Sequence, residues 1–168
     1  MNVENPAGGI DSVYPCTEYL TFGPWIYLVP QYKPRSVLML GYAGGTAAGL
    51  IRLFYGDVPI TAVDLEKPDQ FFYDVDFVQA DAQEFVEDCG RFDCIIVDVW
   101  DHTRPEPCGF VSTPEFAEAA MGKCDYLIVA GMDDTDMSAY PRPVKVLSLG
   151  RLRFHYIVVN RIAELPIR

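Results

Sequence analysis

The stretch Val37-Leu38-Met39-Leu40-Gly41-Tyr42-Ala43-Gly44-Gly45-Thr46 decides how the chain folds. Its four apolar residues predict a buried strand, a glycine-rich turn follows directly, and residues 46–55 predict a helix that ends at Gly56. A turn this rich in glycine lets the backbone approach a ligand closely, while its N–H groups open the helix. A plain tight turn is the alternative reading.

The same alternation of strand and helix continues along the chain. The last two apolar runs are separated by residues 150–153 alone, and so short a connection requires an antiparallel pair. We therefore predict an α/β fold: a doubly wound, mostly parallel sheet of about seven strands with a C-terminal antiparallel hairpin. The predicted strands cover residues 37–40, 60–63, 76–80, 92–97, 126–130, 144–149 and 154–160, and the predicted helices cover residues 46–55 and 82–89 and begin again at Thr113-Pro114.

The composition describes one soluble globular domain. The 168 residues are 50% apolar and include 13 Lys and Arg against 24 Asp and Glu, a formal net charge of −11. This apolar content excludes disorder, and no apolar run approaches the roughly 18 residues that a membrane span needs. The acid excess argues against nucleic acid as the main partner, although residues 142–168 hold six basic residues and one acid. Neutral or cationic small substrates fit better.

The N-terminus and the cysteines indicate the cell interior. The first residues lack the basic start and apolar core of a signal peptide, so we expect a cytoplasmic protein. The five cysteines form no C-x-x-C pair, and Cys94 lies in an apolar run typical of a buried structural thiol. With two histidines in the chain, we expect no metal site.

Acidic residues stand at the carboxyl ends of three successive predicted strands. Asp64 can accept hydrogen bonds from ribose hydroxyls, or it is a capping or solvated acid. Asp81 can accept from an adenine amino group, or it is the N-cap of the next helix. Asp98 and Asp101, three residues apart, can bind an amine or act as a base, and a structural cap is again the alternative. Ligands of such sheets lie beyond these strand ends, so the acids and the glycine turn form one candidate site.

In this order, the segments 34–46, 62–66, 79–85 and 92–101 resemble the spermidine synthase-like branch of the class I S-adenosylmethionine-dependent methyltransferase superfamily. The resemblance implies a Rossmann-like methyltransferase fold, with residues 34–168 as the S-adenosylmethionine-binding domain after a short extension over residues 1–33. The implied cofactor is S-adenosylmethionine or its decarboxylated form. The resemblance implies these cofactor-binding residues: Gly41, Tyr42, Ala43, Gly44 and Gly45 beside the methionine portion, Asp64 at the ribose with Leu65 next to it, Asp81 and Ala82 at the adenine, and Asp98.

Asp98 and Asp101 also match the D-x-x-D motif of aminopropyltransferases, so the resemblance makes them the catalytic pair. There the first aspartate helps to deprotonate the attacking amine and both bind the cationic polyamine. Three features depart from a synthase: the glycine motif holds no acid, His102 replaces the usual proline, and only residues 1–33 stand where a synthase has an N-terminal domain.

The departures favour methyl transfer to a small acceptor as the first hypothesis. Aminopropyl transfer in polyamine synthesis is the runner-up. The alternative outside enzyme catalysis is a non-catalytic nucleoside-binding or regulatory module. A nicotinamide-binding unit is disfavoured, because Ala43 breaks the pattern G-x-G-x-x-G.

Two connections in the predicted sheet are short. Residues 65–74 and 133–143 stand where the superfamily usually has helices, and a bare sheet face is costly in water. We therefore predict that a second copy of the chain covers one face, which makes a homodimer. The segments 71–73 and 25–29 are the candidate contacts, and packing inside the monomer is the alternative, favoured for segment 25–29.

Overall fold

Strands and helices alternate along the chain from residue 37 onward, as the sequence predicts. The structure is a computed structural model that describes residues 2–4, 10–13, 24–101, 107–132, 135–141, 145–146 and 154–160. Short 3₁₀ turns cover Pro24–Leu28 and Gly109–Ser112. In chain order the elements are β1 (Asn2–Glu4), β2 (Ile10–Val13), β3 (Val37–Leu40), α1 (Thr46–Tyr55), β4 (Ile60–Asp64), β5 (Asp76–Gln79), α2 (Ala82–Asp88), β6 (Phe92–Val97), α3 (Pro114–Gly122), β7 (Cys124–Met132), β8 (Lys145–Val146) and β9 (Phe154–Asn160).

The main sheet has the order β5-β4-β3-β6-β7-β9-β8. The strands from β5 to β7 in this order are all parallel, which confirms the α/β prediction. β9 pairs antiparallel with β7, and β8 pairs antiparallel with β9; the connection over residues 147–153 lies outside the described residues. The chain leaves β3 toward β4 on one side and later returns to β6 on the other. The strand order therefore reverses between β3 and β6, where ligands of such sheets bind.

Each face of the sheet carries its own apolar core. On one face α1 and the 3₁₀ turn Pro24–Leu28 pack against alternate residues of β3, β4 and β6. On the other face α2 and α3 cover the intervening residues of the same strands. Trp25 and Leu28 belong to the first core, so the segment around Trp25 packs inside the monomer, as favoured above.

The caps of the helices follow the sequence signals. α1 begins after Gly45 and ends before Gly56, both with positive φ (80° and 73°). Before α3, the Thr113 hydroxyl accepts the N–H of Phe116 at 3.3 Å, and Pro114 takes the first helical position, which confirms the predicted start.

Several elements differ from the prediction, and β4, β5 and α2 differ from their predicted bounds by a single residue at one end. β7 extends two residues beyond the predicted run 126–130 at each end, because Cys124 pairs with β6 and Met132 pairs with β9. Only two residues of the predicted strand 144–149 are described as a strand, β8. The sequence analysis missed β1 and β2, which form a separate antiparallel pair.

The short connection between β4 and β5 contains no helix, as its length indicates. It lies instead against α1. Gly49 gives the Tyr73 ring room, because a Cβ atom at Gly49 would lie 2.7 Å from Tyr73 Cε1. One turn later the Arg52 guanidinium donates to the Asp74 carbonyl, with 3.0 Å between Nε and O. A glycine and an arginine on α1 thus hold a loop where a helix would otherwise pack.

An ion pair at the amino ends of the strands should make stability depend on pH. Arg35 Nη2 lies 2.8 Å from Asp93 Oδ1, and Arg35 Nε lies 2.9 Å from Asp93 Oδ2. The hydrogen bond from Arg35 lowers the pKa of Asp93. Because the folded-state pKa is depressed, this stabilisation is complete above the unfolded value of about 3.9 and is lost as pH falls through the folded value.

We therefore expect Asp93→Asn to lower the free energy of unfolding by about 0.5–1 kcal/mol at pH 7. Urea denaturation at a series of pH values measures the difference from wild type. That difference should shrink below pH 4. A difference that stays constant down to pH 2 would contradict the assignment.

Candidate functional site

The glycine turn after β3 adopts backbone conformations that few other residues could take. Gly41 and Gly45 have φ values of 88° and 80°, and Ala43 between them has 47°. A Cβ atom at Gly41 would lie 2.7 Å from the carbonyl carbon of Asp98 and would also clash with its oxygen. The turn therefore rests directly against the end of β6, where only glycine fits.

Asp64 holds this turn in place. The N–H groups of Tyr42 and Ala43 donate to Asp64 Oδ2 at 2.7 and 3.0 Å, and the N–H of Glu66 donates to Oδ1 at 3.2 Å. The side chain is partly exposed. A carboxylate oxygen can accept two hydrogen bonds, so Oδ1 retains capacity for a hydroxyl donor. The structure thus shows the capping role of Asp64. This role still allows Oδ1 to accept the predicted hydrogen bond from a ribose hydroxyl.

Asp81 is the N-cap of α2. Its Oδ1 accepts the N–H groups of Gln83 and Glu84 at 2.7 and 3.2 Å, which is the structural alternative stated above. Within the described part of the chain, Oδ2 of Asp81 accepts no hydrogen bond. Ala82 beside it is buried. A second role for Asp81 toward an adenine amino group would use Oδ2.

Asp98 and Asp101 follow the end of β6, and both residues are partly exposed. The indole Nε1 of Trp100 donates to Asp98 Oδ1 at 2.6 Å, and Trp100 itself pairs with Pro107 across the intervening loop. The indole thereby fixes the orientation of the Asp98 carboxylate. Asp101 is half-buried at the start of that loop. His102 lies outside the described residues.

The register of the strands brings these predicted residues to one edge. Leu40 pairs with Val63 of β4 and with Val97 of β6, so the next residue, Gly41, lies between Asp64 and Asp98. Gln79 pairs with Asp64, which places Asp81 just beyond the neighbouring strand. The glycine turn and the acids therefore occupy adjacent positions at the switch point of the sheet.

Two of the predicted cofactor-binding residues, Tyr42 and Leu65, differ from each other in how exposed their side chains are. Tyr42 is buried, its ring lies against Gly45, and burial raises its pKa to about 12. Its hydroxyl has no hydrogen-bond partner in the described part of the chain. Leu65 is 59% exposed although it is apolar. Tyr42 therefore packs into the core, whereas Leu65 offers an apolar surface next to Asp64.

Cys108 is a neighbour of the site that the sequence analysis missed. Its N–H donates to the carbonyl of Val99 at 3.1 Å, which brings it back beside the end of β6. Burial raises the pKa of its thiol, and the charges of Asp101, Asp81 and Asp64 raise it further. No motif signals this position, because it is the hydrogen bond to Val99 that brings Cys108 there.

The raised pKa predicts how Cys108 reacts. Alkylation requires the thiolate, so the rate for Cys108 should still increase above pH 9, where an ordinary thiol levels off. Asp101→Asn should accelerate it, and Cys89, whose pKa burial raises far from these acids, should not change. Mass spectrometry of alkylated peptides measures both rates. A plateau at or below pH 8.5 would show that the acids do not surround Cys108.

The described residues contain neither a metal-binding cluster nor a membrane-spanning helix. They contain no group of three or more His, Cys, Asp or Glu side chains placed to hold a metal ion. None of the helices among them has both the length and the apolar content to cross a membrane.

Comparison with known proteins shows the fold. No family model matches the chain, and no curated protein matches it. Human methyltransferase-like protein 13, solved in complex with SAH, is 14% identical with a TM-score of 0.63, over 86% of this chain and 82% of that one. The plantazolicin methyltransferase BpumL, solved in complex with a triazolic desmethylPZN analog and SAH, is 14% identical with a TM-score of 0.51, over 77% of this chain and 54% of that one.

A probable spermidine synthase from Corynebacterium glutamicum is also similar. It is 20% identical with a TM-score of 0.49, over 62% of this chain and 42% of that one, which is too distant to show the spermidine synthase-like branch. The first two similarities establish that the chain has the Rossmann-like methyltransferase fold.

Proposed function

We propose that this chain is an S-adenosylmethionine-dependent methyltransferase that acts on a small acceptor. The observation that carries the proposal is the position of the glycine turn between Asp64 and Asp98, at the switch point of a methyltransferase fold. The same fold occurs in two methyltransferases solved with SAH, S-adenosylhomocysteine, which is the product of methyl transfer. In this proposal residues 34–168 form the binding domain after an extension over residues 1–33, and β8 and β9 form the C-terminal hairpin of a seven-stranded sheet.

The residues at the edge of the sheet fit this cofactor. The turn over residues 41–45 offers backbone that a ligand can approach closely, since no Cβ atom stands at Gly41. Asp64 Oδ1 would accept from a ribose hydroxyl, and Asp81 Oδ2 from the adenine amino group. The exposed Leu65 would pack against the adenine ring.

Bound S-adenosylmethionine supplies an electrophilic methyl group to a nucleophile held in line with it. Asp98 and Asp101 would bind the acceptor and accept the proton that its nucleophilic atom loses. The bond from Trp100 fixes the Asp98 carboxylate before the acceptor arrives. Positioning of the two reactants by these residues provides most of the rate acceleration in such a reaction.

Aminopropyl transfer from decarboxylated S-adenosylmethionine is the second candidate. The observation that favours it is the pair of acids after β6, which suits a polyamine with several positive charges. The two reactions leave different nucleoside products. Methyl transfer yields S-adenosylhomocysteine, whereas aminopropyl transfer yields methylthioadenosine.

Turnover of S-adenosylmethionine and, in a parallel assay, of its decarboxylated form with a pool of small amines, alcohols and thiols tests the proposal. We expect S-adenosylhomocysteine to form with at least one acceptor class, and Asp98→Asn to lower its rate about 100-fold. Asp88→Asn, an exposed acid at the far end of α2, is the matched control and should leave the rate unchanged. Methylthioadenosine that forms from the decarboxylated donor only when an acceptor is present, with no S-adenosylhomocysteine from S-adenosylmethionine, would favour the second candidate. Tight binding of S-adenosylmethionine without any product would favour a non-catalytic nucleoside-binding or regulatory module.

We further propose that the protein is a cytoplasmic homodimer. Leu53 and Phe54 near the end of α1 are 50% and 53% exposed, and a second copy of the chain would cover them. Tyr73 of the other predicted contact segment packs on α1 within the monomer. Light scattering at micromolar concentration should give twice the mass of one chain, and a monomer mass would refute the dimer.

A further inference from the structure

A cavity with aromatic walls lies beside the edge strand β5, apart from the candidate cofactor site. Its volume is about 360 Å³, within the range of small-molecule sites. None of the residues at the carboxyl edge, from the glycine turn to Asp98, lines it. Its walls include Phe71, Phe72, Tyr73 and Phe77, together with Lys67 and Asp74.

The aromatic residues of the lining pack against their neighbours. The Phe71 and Phe77 rings meet edge to face with centroids 5.2 Å apart, and the Tyr73 ring lies against Gly49 of α1. Phe71 is 38% exposed, so a ligand in the cavity can reach its ring. Rigid rings bind a ligand with little loss of conformational entropy.

The lining of the cavity includes one basic and one acidic side chain, Lys67 and Asp74. The Lys67 ammonium lies 5.9 Å from the centroid of the Phe71 ring, so the chain already places a positive charge over this ring. Asp74 lines the same cavity, and its carboxylate forms no ion pair with any residue that the structure describes. Several aromatic rings with one unpaired acid provide the chemistry that recognises quaternary ammonium groups.

We propose that this cavity binds a small quaternary ammonium cation, which takes the position of the Lys67 ammonium over Phe71. The ligand's positive charge faces the rings and the Asp74 carboxylate, and its methyl groups contact the apolar walls. The exposed Lys67 side chain moves into solvent when the ligand enters. The proposal does not rest on the proposed methyltransferase function, although Phe71 and Phe77 also pack against Tyr42 of the glycine turn.

Calorimetric titration with choline and with its neutral isostere 3,3-dimethylbutan-1-ol tests the proposal. We expect choline to bind about tenfold more tightly than the isostere, because only choline gains the interaction with the rings. Phe71→Ala and Asp74→Asn should each weaken choline binding about fivefold or more. Circular dichroism would verify that each variant is folded, and Asp74→Asn leaves the apolar core intact.

Lys67→Met is the most decisive variant, because the direction in which it changes the affinity for choline distinguishes a cation site from an anion site. Removal of the competing ammonium should tighten choline binding about twofold or more. Lys33→Met, an exposed lysine outside the cavity, is the control and should have no effect. Three results would each overturn the proposal. Choline and the isostere bind equally tightly, Lys67→Met binds choline more weakly than the wild type does, or the wild type binds no choline at 20 mM.

Discussion

Gly41→Ala should lower the free energy of unfolding by about 3–5 kcal/mol, an unusually large loss for the addition of one methyl group. Two costs combine. Alanine is strained at the φ value of 88°, and its Cβ would overlap the backbone of Asp98, 2.7 Å from the carbonyl carbon. Backbone atoms in the middle of a sheet cannot move aside as a flexible side chain can. The glycine turn and β6 must therefore separate, and binding of any ligand at this edge should be lost.

Gly56→Ala is the matched control for this prediction. Gly56 has a similar φ value of 73°, but nothing lies within 4 Å of a Cβ atom there. It should cost only the strain of a conformation that is essentially restricted to glycine (φ 73°, ψ −138°), about 1–3 kcal/mol. Chemical denaturation of both variants measures the difference. Equal losses at the two positions would show that the turn does not rest on the end of β6.

Asp64→Asn should weaken binding of S-adenosylmethionine about 30-fold while the protein stays folded. The asparagine oxygen can still accept the N–H groups of Tyr42 and Ala43, so the turn keeps its support. The asparagine amide group then replaces Oδ1, and a donor there cannot accept a ribose hydroxyl. It also faces the N–H of Glu66, which should lower the free energy of unfolding by about 1 kcal/mol.

Asp64→Ala separates the two roles of this residue. It removes the acceptor for three backbone N–H groups, so the unfolding free energy should fall by about 2–3 kcal/mol in addition to the loss of binding. Asp69→Asn, an exposed acid in the following loop, is the control for charge. Unchanged affinity in Asp64→Asn would mean that Asp64 only supports the turn.

The sequence predicts the part of this fold that local chemistry specifies. Buried strands such as Val37–Leu40 are continuous apolar runs, and the cap at Thr113 and the stop at Gly56 are signals carried by single residues. The order of the elements then places Asp64 and Asp98 at one edge of the sheet. These features need no knowledge of distant contacts.

Contacts between distant segments account for what the sequence could not predict. Gly49 reads as an ordinary helix residue, and only its contact with Tyr73 explains how a short loop replaces a helix. Cys108 joins the acids because a loop folds back onto Val99. The burial of Tyr42 depends on its packing against Phe71 and Phe77, which no local pattern records. In each case the partner is chosen by tertiary packing.

Calorimetric titration of the wild-type chain with S-adenosylmethionine, S-adenosylhomocysteine and NAD tests the central claim most directly. The proposal predicts that both adenosyl ligands bind one molecule per chain with Kd values below about 1 mM, that Asp64→Asn weakens both, and that NAD does not compete. Absence of binding by either adenosyl ligand to the folded wild-type protein, or binding that Asp64→Ala leaves unchanged, would contradict it.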